Sequence, residues 1–264
     1  DQVFDMRTDI SGRQRSIMEF IREHGSVQVA DLSAHLQVTP QTIRRDLNQL
    51  YDLELLERVH GGAVIKDSAE NLGYGARKIL MADEKTAIAR QAARIISDNA
   101  SMFINLGTTT ERVAEFLVDR KGILVITNNI NVASTLWPSR SIDVMIAGGR
   151  IRHADGGIIG TSTEEFVGKF EPDYAIIGCS AIDGSGEFFD YDLREVRVTQ
   201  AIIKQARSVI LVADSMKLAR RAPVKVGTCS TISICSGGDS TIRLCFQFSP
   251  QFNANRLQRQ VKIE

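Results

Sequence analysis

The chain has 264 residues, of which 43% are hydrophobic, enough for one large core or one small and one medium core; two domains is the reading adopted. Its 32 basic and 32 acidic residues cancel, which excludes a protein that coats nucleic acid through bulk charge; residues 1–66 hold eight basic against ten acidic side chains, so any DNA binding there must come from geometry. No run approaches the roughly 18 apolar residues of a membrane span, and DQVFDMRTDI lacks the basic and apolar regions of a secretory signal, so a cytoplasmic chain without membrane contact is expected.

In chain order, Ile17, Phe20 and Ile21 fall at helical spacing within residues 13–23, with Gly25 as a stop. Val29, Leu32 and Leu36 share one face of a second helix, which breaks at Gln37 and Val38, a short turn of the helix-turn-helix kind. Thr39 caps a third helix, Pro40 takes its first position, and Ile43, Leu47 and Leu50 form its buried stripe. The opposite face carries Gln41, Thr42, Arg44, Arg45 and Asn48, side chains able to hydrogen-bond base edges or phosphates in a major groove; Thr39 at the helix start and Gly61 and Gly62 beyond it complete the candidate DNA contacts. The bland alternative is a small three-helix domain with a solvated face, its arginines partly neutralised by the adjacent Asp46. Residues 55–64 read as two short strands around Gly61 and Gly62, a wing from which Arg58 and His60 reach the phosphate backbone or minor groove.

Residues 67–82 are polar, contain glycine and keep no sustained period, which suits a linker. From residue 83 to 228 short apolar runs (SMFINL, ILVITN, DVMIA, YAIIG, SVILVA) alternate with helical patterns, predicting an α/β domain with a largely parallel sheet. Such sheets bind ligands at the carboxyl ends of their strands. After SMFINL come Gly107, Thr108, Thr109, Thr110 and Glu111, opening a helix whose free N–H groups suit a phosphate; the alternative is a plain helix cap. Asn128 ends the next strand, and Gly148 and Gly149 the one after, followed by Arg152, an anion partner in an otherwise ordinary loop. Asp214 and Lys217 close the list, as a pair for a sugar hydroxyl and a phosphate or as a solvated salt bridge.

TPQTIRRDLNQL followed by ERVHGGA resembles the DNA-binding signature of the DeoR family of bacterial repressors. VITNNINVASTL, AGGRIRHADGGIIG, YAIIGCSAID and EVRVTQAIIKQARSVILVADSMK resemble that family's sensor domain, so the likeness spans about residues 13–228. The resemblance implies a winged helix-turn-helix at 13–66 and, at 83–228, a Rossmann-like α/β sensor domain related to ribose-5-phosphate isomerase. It further implies a homo-oligomer on operator double-stranded DNA, released by a phosphorylated sugar or polyol, with glycerol 3-phosphate the first choice. Carried over by position, Gly107 to Glu111, Asn128, Gly148, Gly149, Arg152, Asp214 and Lys217 line the effector pocket. One departure stands at Met216, where the family often has serine, removing a hydroxyl from the phosphate contact. Two competing readings are a sugar-phosphate isomerase with an appended DNA-binding domain, using Glu111, Asp183 or Asp214 as base, and a constitutive DNA-binding protein with a vestigial sensor.

After Thr228 the texture changes, and residues 229–264 form an atypical tail with no clear helix, expected to lie loosely or to replace an edge strand poorly. Codons permitted for residues 228–236 can be shifted to read Leu-Leu-Asp-His-Leu-Asp-Leu-Phe, a family-like continuation, so a reading-frame change is the hypothesis. The tail holds Cys229, Cys235 and Cys245; with Cys179 they form no CxxC pair and have no histidine at ligand spacing, so reduced thiols, no metal and no cofactor are expected.

Overall fold

The computed structural model describes residues 11–53, 55–59, 62–65 and 74–236. The chain separates into two compact units, Asp1–Asp83 and Glu84–Glu264.

In the first unit, helix α1 (Gly12–His24) starts at a capping box in which Ser11 and Gln14 satisfy each other's backbone N–H groups. Strand β1 (Ser26–Gln28) leads into α2 (Val29–Leu36), and Gln37 in the left-handed region (φ 52°) turns the chain toward α3 (Pro40–Asp52). Strands β2 (Leu56–Val59) and β3 (Gly62–Ile65) follow, and the antiparallel sheet runs β1-β3-β2. Ile17, Ile21, Leu32, Ile43, Leu47, Leu50 and Leu55 are fully buried, so the apolar spacing that predicted three helices is also what packs them. Three-residue β1 is too short to leave a periodic signal in the sequence. It explains why Gly62 is a glycine, because a Cβ there would lie 1.9 Å from the Val27 carbonyl oxygen.

Helix α4 (Tyr74–Ile79) lies within the stretch read as a linker, and α5 (Ala82–Ile95) opens two residues before the chain enters the second unit. There β4 (Ser101–Ile104), α6 (Thr108–Glu115), β5 (Ile123–Thr127), α7 (Ile130–Leu136) and β6 (Ile142–Ile146) form one half of a doubly wound sheet. The hairpin β7 (Arg150–Ile151) and β8 (Ile158–Ile159) and helix α8 (Thr161–Val167) lead to β9 (Tyr174–Ile177). Strands β10 (Ala181–Ile182) and β11 (Glu187–Asp190) precede α9 (Leu193–Gln205) and β12 (Ser208–Ala213), and β13 (Val224–Thr228) and β14 (Ser233–Ser236) complete the described chain.

The main sheet is parallel throughout, in the order β14-β12-β9-β4-β5-β6. Read from β6 this is the 3-2-1-4-5-6 order of a Rossmann sheet, whose direction reverses between β4 and β9. One face packs Ile88, Val113, Leu117, Val132 and Leu136 from α5, α6, α7 and their following turns; the other packs Val167, Val196, Val198 and Ile202 from α8 and α9. The five strands expected from apolar runs are present. The short sheet β10-β11-β13, hairpin β7–β8 and α8 were not anticipated, being pieces of two to seven residues. Of the two expectations for the tail, its start follows the second, Ser233–Ser236 taking an edge position in parallel with Ile210–Ala213; residues 237–264, with Cys245, lie outside the described residues.

Candidate DNA interface and effector site

On α3 the Thr39 hydroxyl accepts the Thr42 N–H at 3.3 Å and meets the Thr42 hydroxyl at 2.9 Å, so both side chains are engaged in the cap. Gln41, Arg44, Arg45 and Asn48 are exposed. The neighbouring Asp46 does not neutralise the arginine pair. It is buried, and its two oxygens accept from Arg13 Nε at 2.5 Å and Nη2 at 3.1 Å, which ties α3 to α1. From the wing, Arg58 donates to Asn48 Oδ1 at 3.1 Å and lies 4.7 Å from the centre of the Tyr51 ring, while the Tyr51 hydroxyl donates to the Gly62 carbonyl at 3.0 Å. The wing is thereby pinned to α3, with a positive face that joins the exposed end of the helix to β2. Gly62 is buried in the sheet, and His60 and Gly61 lie outside the described residues.

In the second unit the strands are parallel, so their carboxyl ends share one edge. Gly107 adopts φ 136°, a conformation open to glycine, and opens α6, whose first N–H groups face that edge. Thr110 is consumed internally, donating to the Asn105 and Gly107 carbonyls at 2.8 and 2.7 Å. Glu111 is nearly buried and accepts from Asn129 and Asn131 at 3.0 and 3.1 Å; Asn131 also reaches the Asp155 carbonyl at 2.9 Å. Asn128 donates to the Ile158 carbonyl at 3.1 Å. Gly148 is exposed, whereas a Cβ on Gly149 would stand 2.5 Å from the Thr163 hydroxyl.

Arg152 does not point at an open anion site. Its Nε and Nη2 grip Asp155 at 2.8 and 2.7 Å, and Nη1 meets Glu195 at 2.6 Å and Asp192 at 3.5 Å. Burial works against its charge, but the Asp155 hydrogen bond and the attraction of Glu195 and Asp155 outweigh it and raise its pKa. Glu195 is pushed up to about 7, first by burial and then by Asp190, against the pull of Arg152. Asp214 is buried and forms its ion pair with Lys85 of α5 at 3.9 Å, so the expected pairing with Lys217 is replaced by one across elements. Lys217 is half-buried and its backbone N–H donates to the Asp214 carbonyl at 3.0 Å.

The carboxyl-end loops of β4 and β5 and the β7–β8 loop are therefore joined by hydrogen bonds, while Asp214 and Lys217 stand at the end of β12, two strands from β4. Among the described residues, three buried acceptors at these strand ends have no hydrogen-bond partner: Asn105 Oδ1, Asn128 Oδ1 and Asp214 Oδ1. Such acceptors are costly unless something donates to them. Sequence reading missed Asn105, Asn131 and Lys85. For Lys85 a signal existed, since it falls on the apolar stripe of α5 with Ile88, Ala89 and Ala92. Of the carboxylates weighed as a catalytic base, Asp183 is exposed and held by Ser185 in a turn, and Glu111 and Asp214 are tied as described.

Comparison with known proteins adds the following. Residues 13–69 match the DeoR-like helix-turn-helix domain and residues 80–235 the DeoR C terminal sensor domain. The chain is 43% identical over 227 residues to the glycerol-3-phosphate regulon repressor of Haemophilus influenzae, covering 86% of this chain and 89% of that protein. It is 41% identical to the protein of the same name from Escherichia coli K12, over 83% and 87%, and 34% identical to the E. coli HTH-type transcriptional repressor CsqR, over 86% and 87%. These relatives are repressors by name, not enzymes. A solved D-ribose-5-phosphate isomerase in complex with phospho-erythronic acid is similar at 15% identity and a TM-score of 0.38, over 52% of this chain and 54% of that one. Among the described residues no helix is long and apolar enough to cross a membrane.

Proposed function

Because this chain belongs to the DeoR family, with that family's helix-turn-helix and sensor domains in sequence, we propose that it is a cytoplasmic repressor that holds operator DNA until a phosphorylated polyol or sugar binds. Glycerol 3-phosphate is the first candidate, by the names of two relatives. Gln41, Arg44 and Arg45 are the base and phosphate contacts of the recognition helix, and Arg58 the wing contact. The effector sits at the carboxyl edge around the β4/β9 reversal, its phosphate against the α6 N-terminus at Gly107 and Thr108. The observation that carries this reading is the set of unpartnered buried acceptors at Asn105, Asn128 and Asp214, which suits a ligand that brings hydroxyl donors. Arg152 is given a different role from the one its sequence context suggested, clamping the β7–β8 loop to α9.

Effector and operator are linked, so a hundredfold weakening of operator binding by effector, about 2.7 kcal/mol, entails an equal weakening of effector binding by operator. The test is binding of operator fragments at fixed salt, titrated with glycerol 3-phosphate and a panel of sugar phosphates. Arg44→Ala serves as the DNA-contact control, expected to lose about tenfold or more. Release by one ester supports the reading and names the ligand; specific binding indifferent to all of them sinks the sensor half.

A further inference from the structure

Four of the large apolar side chains left exposed line one margin of the second unit: Trp137 (71% exposed), Met145 (37%), Ile146 (46%) and Ile151 (49%). They follow the open edge at β6. An all-parallel sheet seldom leaves such an edge bare, and charges or prolines that would blunt it are few here, Asp143 alone within the strand.

This edge has a definite shape. Strand β5 pairs with β6 as far as Thr127 and Ile146. Beyond that point its neighbour is β8, through the Asn129–Gly157 bridge and the Ile158 N–H to the Asn128 carbonyl at 2.7 Å. Strand β7 pairs with β8 and so stands one strand further out than β6, about 4.8 Å. The margin is thus a recess along β6 followed by a ledge along β7. A twofold axis normal to the sheet, between Ile146 and Ala147, seats each ledge in the other copy's recess. It sets Asp143 against the partner's Arg150 and Ile142 against the partner's Ile151, with Gly148, whose Cβ position has nothing within 4 Å, leaving room opposite Met145. Asp143 and Arg150 are both exposed, and neither forms an ion pair among the described residues.

We propose that this stepped β6–β7 edge is the surface through which two copies of the chain associate, antiparallel and in one continuous sheet. The charge order is self-complementary under the twofold, which points to a second copy rather than a foreign partner. The proposal deepens the reading above, since one winged helix contacts a single half-site and two related by a twofold read a palindrome.

The test is the mass of the full chain by sedimentation across a concentration series, without DNA or effector, with thermal melts to confirm folding. Wild type should dimerise, and Asp143→Arg and Arg150→Asp should each raise the dimer dissociation constant about tenfold or more, by placing like charges opposite one another twice. An equimolar mixture of those two variants should return to the wild-type constant, because each then supplies the charge the other lacks. Met145→Asp should weaken the dimer and gain nothing from mixing. A monomeric wild type, single variants of unchanged mass, or a mixture that stays dissociated would overturn the proposal. Recovery in the doubly substituted chain but not in the mixture assigns the pair to one chain and overturns it as well. Operator and effector are absent from the measurement, so its failure leaves the repressor reading standing.

Discussion

The two units put their polar residues to opposite uses. In the first, Gln41, Arg44 and Arg45 face outward, while Asp46 turns in to hold Arg13 and Gln14 turns in to donate to Gln49. In the second, Thr110, Glu111, Asn128, Asn129 and Asp214 are buried, Glu111 held by Asn129, Thr110 and Asn128 by backbone carbonyls, and Asp214 by Lys85. A surface reader of DNA gains affinity from contacts made outside the fold, so its reading residues can change with little effect on stability. A buried site is made of the same groups that hold the strand ends together. Substitutions there should move stability and ligand binding together.

The sharpest way to break that contrast is Lys85→Met. It removes the buried cation that pairs with Asp214, at a cost of about 3 kcal/mol. Denaturant unfolding of the full chain should show the sensor unit's transition shifted and the N-terminal unit's unchanged. A shift in neither would mean that the pair contributes nothing to stability. The N-terminal counterpart is Gly62→Ala. With a Cβ 1.9 Å from the Val27 carbonyl, β3 must leave its place between β1 and β2, costing about 2–3 kcal/mol. Here the first unit should melt early and operator binding should fall, with the sensor unit unaffected.

Glu195 sharpens the contrast through pH. Its carboxyl is pushed from the ordinary 4.5 up to about 7, so the folded chain keeps it protonated where the unfolded chain has already ionised. The stability it contributes is whole below about pH 4.5 and is lost as pH rises through 7, of order 3 kcal/mol. Unfolding of the sensor unit measured between about pH 5 and 8 should show this decline, and Glu195→Gln should flatten it. An equal decline in the variant would remove Glu195 as its source.

The same contrast accounts for what the sequence revealed. Helical spacing of Ile43, Leu47 and Leu50 fixed which face of α3 is outward, and outward residues need no partner to be recognised. Apolar runs located β4, β5, β9 and β12 because both their faces are buried. What stayed hidden were pairings between distant positions. Nothing local to Arg152 announces Glu195, which lies on another helix; nothing near Asp214 announces Lys85; and the direction in which Asp46 points depends on where α1 packs. Strands of two or three residues, such as β1 and β7, form only because a neighbour is already in place, so they carry no period of their own.

The smallest effect tests the outward side of the comparison at Thr39, to which the sequence assigned both a cap and a DNA contact. Its hydroxyl accepts the Thr42 N–H at 3.3 Å, so Thr39→Ala should cost the first unit about 1 kcal/mol, and Thr39→Ser, which keeps the oxygen, only a few tenths. Well below the melting temperature a loss of that size leaves nearly all molecules folded. If the hydroxyl is only a cap, operator affinity for the alanine variant should then stay within about twofold of wild type while its melting point drops. A tenfold loss of affinity in Ala that Ser restores would instead assign the hydroxyl a phosphate contact in addition to the cap, and would show that even on the outward face one residue serves fold and reading at once.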